Sequence, residues 1–91
     1  MKTVFLRISG RVQGVWYRGW TRETALSLGL NGWVRNRMDG SVEAIISGDE
    51  APVNELIQAC WTGPNSARVD DIILTNSDET VKAGFEQKPT I

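Results

Sequence analysis

The chain has 91 residues, a formal net charge of -1, no histidine and a single cysteine, Cys60. A chain this short makes one domain around a modest core. Its residue types exclude a histidine nucleophile, base or metal ligand, an internal disulfide and a zinc-finger-type site. No stretch approaches the ~18 apolar residues that read as a membrane span. Met1-Lys2-Thr3-Val4 runs into the first predicted strand without an apolar leader core, and the lone cysteine fits a reducing compartment, so a cytoplasmic protein is expected. The charge is sorted along the chain. Residues 1–37 carry seven Lys and Arg against Glu23, a net of +6, whereas residues 38–91 carry three against ten acids, a net of -7. The first half is expected to build a surface for a small anion, while the second keeps the molecule from binding polyanions at large.

Val4 to Ser9 alternates as a strand, with Val4, Leu6 and Ile8 on one face and Phe5, Arg7 and Ser9 on the other. The loop Gly10-Arg11-Val12-Gln13-Gly14-Val15-Trp16-Tyr17-Arg18 follows. Its glycines, with no Cβ, allow a tight path and a close approach of backbone to a ligand. A loop that enters a helix aims several N–H groups at one point, at the positive end of the helix, which is a site for an anion. Arg18 adds a planar, permanently charged fork suited to phosphate oxygens. Neither the Gly-Lys-Ser/Thr phosphate loop nor the three-glycine dinucleotide fingerprint is present.

The helix is expected from Arg18 to Leu28, with Tyr17, Thr21, Ala25 and Leu28 along one side and Gly29 as its stop. Gly19 in the first turn costs about 1 kcal/mol against Ala, so something besides helix propensity holds it there. Leu30 to Arg37 reads as a second strand, with Trp33 and Arg35 on one face and Val34 and Asn36 on the other. Asp39-Gly40 turns the chain, and Ser41 to Ser47 returns as an antiparallel partner with Val42, Ala44 and Ile46 inward. A second helix opens at Asp49, carries a buried stripe of Val53, Leu56, Ile57, Cys60 and Trp61, and ends at Gly63-Pro64. Cys60 on that stripe is packing. Ala67 to Thr75 is a fourth strand, Asn76 to Glu79 a turn, and Val81 to Gln87 a closing strand around Phe85. Strand–helix–strand occurs twice, and two such units fold as one antiparallel sheet with both helices on one face.

The segment Gly10 to Arg18, taken with Gly32-Trp33-Val34-Arg35-Asn36 and Asp39-Gly40-Ser41-Val42-Glu43, resembles the two signature segments of the acylphosphatases. The resemblance runs on through Gly63-Pro64 and Gly84-Phe85-Glu86, and so covers essentially the whole chain. It implies a ferredoxin-like α/β sandwich, βαββαβ with a short C-terminal strand. It also implies hydrolysis of the carboxyl–phosphate bond of small acyl phosphates, with no metal or other cofactor. Residue by residue, Arg18 matches the arginine that holds the phosphate, and the N–H groups of Gln13, Gly14, Val15, Trp16 and Tyr17 match the cradle around it. Asn36 matches the asparagine that positions the attacking water. Thr21 matches a supporting hydroxyl, and Gly14 the glycine that sets the loop's path. Trp16, Gly19, Arg37 and Met38 depart from the family's usual residues.

An acyl phosphate is an activated anhydride, so orientation and charge stabilisation matter more than a strong nucleophile. An amide is not a base, but it can hold a water in line by hydrogen bonding. Trp16 and Trp20 are read as packing rather than as walls of an acyl pocket, Arg11, Arg35 and Arg37 as solvated charge, and Gln13 as a backbone contributor. The expected partner is a small acyl phosphate alone, bound by a monomer without nucleic acid or membrane. Two rivals remain at this level. One is a non-catalytic anion-binding module, because acylphosphatase-like domains occur inside larger carbamoyl-transferring proteins. The other is an RNA-recognition domain, which shares the element order but needs aromatics on its central strands, where this chain offers Phe5, Glu43 and Ile45.

Overall fold

A computed structural model describes residues 1–91. Its elements in chain order are β1 (Lys2–Arg11), α1 (Tyr17–Ser27), β2 (Asn31–Asn36), β3 (Val42–Gly48), α2 (Glu50–Cys60), β4 (Arg68–Asn76) and β5 (Phe85–Gln87). The five strands form one sheet in the order β4-β1-β3-β2-β5. This is the ferredoxin-like α+β arrangement, with one amendment. β1, β2, β3 and β4 pair antiparallel, but β5 runs parallel to β2, so the sheet is mixed.

The alternation in β1 does what period-2 patterning requires: Val4, Leu6 and Ile8 are fully buried. They join Val34, Val42, Ala44 and Ile46 from the neighbouring strands and Tyr17, Ala25, Val53, Leu56 and Cys60 from the helices in one core. Both helices therefore cover the same face. Register then decides where the polar residues go. Ile8 pairs with Val42, and Val42 with Asn36, so Asn36 lies in a row with two core residues. On the opposite face Arg7 pairs with Glu43 and Glu43 with Arg35.

The ends of the elements follow their local chemistry. α1 begins at Tyr17, one residue before its expected start, and stops before Gly29 at φ 72°. The Leu30 N–H then donates to the Ala25 carbonyl, 2.9 Å away, and Leu30 is buried. Asp49 is the N-cap of α2 through its carbonyl, which accepts from the Val53 N–H at 3.1 Å, while its carboxylate makes no cap hydrogen bond. Trp61, expected on the buried stripe, is the C-cap and is exposed, because the helix ends one residue earlier. On β4, Ile72 is buried but Leu74 is exposed. The helices pack over β2, β3 and β5 and leave that edge strand short of cover. The closing strand is Phe85–Gln87 rather than Val81–Gln87, since Gly84 at φ 95° breaks the extended path. Beyond it the chain stays against β2: the Lys88 N–H donates to the Val34 carbonyl and the Ile91 N–H to that of Asn36. No helix is long and apolar enough to cross a membrane.

Candidate active site

The Gly10–Arg18 loop leaves β1 through an irregularity in its pairing with β4 at Ser9 and Gly10, then rises into α1. Gly14 takes φ 74°, which a residue with a Cβ adopts only at a cost. The loop's free donors are its main chemical feature. None of the N–H groups of Gln13, Gly14, Val15 or Trp16 donates to another backbone atom. The first N–H groups of α1 are the ones an α-helix leaves without internal partners. Gln13, Gly14, Trp16 and Tyr17 of this segment line a small pocket of about 100 Å³.

Arg18 and Asn36 both line that pocket, with Gln13, Gly14, Trp16 and Tyr17. The two side chains on which the sequence reading depends are thus brought together from α1 and β2. The Asn36 amide oxygen is buried and has no hydrogen-bond partner in the protein. A buried acceptor of this kind is costly unless something fills its need. Arg18 has no carboxylate partner, whereas Arg7, Arg35 and Arg37 all do: Arg7 pairs with Asp39, Arg35 with Glu43 at 2.6 Å, and Arg37 with Glu43 at 3.0 Å. Arg35 and Arg37 thus share Glu43, and Arg37 also lies 3.6 Å from Asp39, so both are paired with acids rather than left as solvated charge. The positive charge that stays unpaired near the loop belongs to Arg11 and Arg18.

Three expected residues need separate comment. The Val15 side chain turns away and packs against the core, so only its backbone belongs to the loop's donor set. Thr21 is buried outside the pocket, and its hydroxyl donates to the Tyr17 carbonyl at 2.8 Å, which braces the first turn of α1. Trp20 packs against the core and tilts over Tyr17 at 5.4 Å. Trp16 does not pack as expected: it is exposed and sits at the pocket.

One side-chain contact, from a residue expected to contribute only its backbone, and one pocket residue were not foreseen. The Gln13 side chain donates to the carbonyls of Arg37 at 2.7 Å and Ser41 at 2.8 Å, so it ties the loop to the connection that follows Asn36. Gln87 lines the pocket from β5, which pairs Gln87 beside Val34. The hairpin turn gave a signal for the region around Gln13, but nothing in the chain's local pattern announces Gln87.

Tyr17 anchors the start of α1 by donating its hydroxyl to the Cys60 carbonyl. Burial pushes its phenol far above the usual range, and pushes the neighbouring Cys60 thiol up to about 12. Neither group ionises near neutrality, which leaves both as structural. A larger groove of about 530 Å³ lies between Arg22, Trp33, Glu79 and Lys88. It holds neither Arg18 nor Asn36, and the Trp33 indole there is already committed, with its N–H on Glu79 and Arg35 over the ring.

The family model for acylphosphatase matches residues 4–87. An acylphosphatase of Rhodospirillum rubrum is 59% identical over 91 residues, the whole of both chains. The chain belongs to the acylphosphatase family. An acylphosphatase of Rhizorhabdus wittichii is 50% identical over 86 residues, covering 94% of this chain and 87% of that one. The crystal structure of the Bacillus subtilis acylphosphatase superposes with a TM-score of 0.91 at 32% identity, over 97% of this chain and 99% of that one. Family membership makes the chain an enzyme of the acylphosphatase class, on the fold expected from its two signature segments.

Proposed function

We propose that this enzyme hydrolyses the carboxyl–phosphate bond of small acyl phosphates without a metal, with Arg18 and the N–H groups of Gln13 to Tyr17 binding the phosphoryl group and Asn36 orienting the water. The observation that carries the reading is the buried, unpartnered Asn36 amide oxygen in the same small pocket as an Arg18 that no carboxylate neutralises. An acceptor without a donor beside donors without an acceptor is the arrangement that a water and a phosphoryl group would complete.

In this mechanism the water attacks phosphorus in line with the carboxylate leaving group. The P–O bond to the acyl oxygen breaks, and its electron pair leaves with the carboxylate. The water's proton passes to a phosphoryl oxygen, so a chain without histidine needs no side-chain base. Arg18 and the loop donors stabilise charge on the equatorial oxygens, where one lost donor raises a barrier by about 2.7–4 kcal/mol. Thr21 supports the first turn that carries Arg18. The same reading has a monomer acting on a small acyl phosphate, without nucleic acid or membrane. A cytoplasmic setting fits the free, buried thiol of Cys60.

The test is release of inorganic phosphate from an acyl phosphate, with a chelator present, by the native enzyme and the variants Asn36→Ala and Arg18→Ala. Calorimetric titration with inorganic phosphate reports binding independently of turnover. Asn36→Ala is expected to lose turnover and keep phosphate binding; Arg18→Ala is expected to lose both. Equal loss of binding in the two variants would overturn the roles, and binding without any release by the native chain would favour an anion-binding module.

A further inference from the structure

The acyl phosphate reading concerns the phosphoryl half of the substrate; Trp16 bears on the other half. It is the one residue other than glycine at positive φ, 64°, and its side chain is 59% exposed. Both facts count against a role in stability. A Cβ makes that backbone conformation costly, and an indole left largely in water gains little by burial. A glycine would occupy the position without strain and without exposing apolar surface.

What the indole does have is a seat. A Cβ at Gly19 would lie 2.0 Å from its Nε1 and 2.6 Å from its Cδ1 and Cε2. Gly19, three residues on and in the first turn of α1, has no side chain, which is what lets the ring rest so closely on the helix. The ring is held there at the pocket lined by Arg18 and Asn36. That pocket is small, about 100 Å³, with Gln13, Arg18, Asn36 and Gln87 among its lining, so it suits a phosphoryl group. The acyl group attached to it has to extend past the rim, where Trp16 offers a flat apolar surface.

We propose that Trp16 is a specificity-determining residue whose indole, seated on Gly19, stacks with planar apolar acyl groups, so that aryl acyl phosphates are preferred to small aliphatic ones. The inference rests on the acyl phosphate reading, and its test separates the two. The measurement is kcat/KM for benzoyl phosphate and for acetyl phosphate in the native enzyme, Trp16→Gly and Trp16→Phe. The ratio of the two values cancels any change in the phosphate cradle common to both substrates. In Trp16→Gly, which takes the positive φ freely, the benzoyl-to-acetyl ratio is expected to fall by up to about tenfold. Trp16→Phe is expected to restore most of it. A ratio unchanged in Trp16→Gly would overturn the inference while leaving the hydrolase reading intact. Failure of the native enzyme to cleave either substrate would overturn both.

Discussion

The indole of Trp16 occupies the space that a side chain at Gly19 would need, 2.0 Å from the position of a Cβ. Two departures from the family's usual residues are therefore one feature. Gly19→Ala should destabilise the native protein by about 1–3 kcal/mol, the usual range for an added methyl group in a filled space. In a Trp16→Gly background the same change should stabilise, by about 0.5–1 kcal/mol, because Ala is the better helix residue. Urea denaturation of the four proteins closes the double-mutant cycle. Equal effects of Gly19→Ala in both backgrounds would mean that the ring has another resting place.

Gln13 joins the Gly10–Arg18 loop to the connection after β2 by two hydrogen bonds from one amide nitrogen. Gln13→Ala removes one of two donors from each of the Arg37 and Ser41 carbonyls, which keep the Gly40 and Arg37 N–H groups, and should cost about 0.5–1.5 kcal/mol for each bond lost. Gln13→Glu should be worse, since a carboxylate oxygen would face two carbonyl oxygens. Phosphate inhibition should weaken in both variants as the loop loosens relative to Asn36. Denaturation and inhibition measured on the same samples test whether the two losses go together.

Acid should weaken the connection between β2 and β3. The Ser41 hydroxyl and backbone N–H, followed by the Arg7 guanidinium, hold the Asp39 carboxyl well below the usual carboxylate range. The folded state thus binds this proton less readily than the unfolded chain, whose aspartates titrate near about 3.9. Asp39 contributes its stability above that pH, and the contribution is lost as pH falls toward the lower folded value. Asp39→Asn should be less stable than the native protein at pH 7 and show a shallower decline below about pH 4. Parallel slopes for the two proteins would rule out this linkage.

Base should act through the opposite ionisation. Cys60 and Tyr17 keep their protons in the folded state because burial disfavours the charged forms. The unfolded chain releases them from about pH 8.5 and pH 10 respectively. Their contribution is complete below those values and falls as pH rises above them. Cys60→Ala should move the onset of alkaline destabilisation upward, toward the tyrosine range. The native thiol should also resist a thiol-specific reagent until the protein is unfolded, as its complete burial implies.

The parts of the fold that were legible in the sequence are those fixed by period and punctuation. Val4, Leu6 and Ile8 announced a half-buried strand, Val53, Leu56 and Cys60 a helix face, and Gly29 a helix end. The place of Asn36 was legible, because the alternation put it on the same face as Val34; the role of its amide is what the resemblance implies and the Asn36→Ala assay tests. What could not be read depends on neighbours distant in the chain. The Gln13 side chain finds its carbonyls 24 and 28 positions away. The parallel pairing of β5 turns on the path after Gly84. The pairing of Arg35 and Glu43 was within reach, since the Asp39-Gly40 hairpin sets them opposite each other. Trp16 and Gly19 stood out separately as oddities, and only the three-dimensional arrangement joins them.

Gln87 reaches the pocket from a strand whose only strand partner is β2, most of the chain earlier. A parallel pairing between such distant segments must close a long loop before its contacts reward it, so it is expected to form after the local hairpin and the first helix. In any chain where those elements form before β5 docks, the pocket lacks the wall that Gln87 supplies. Recovery of turnover during refolding should lag the recovery of secondary structure, which makes catalysis itself a gauge of when the last strand has docked.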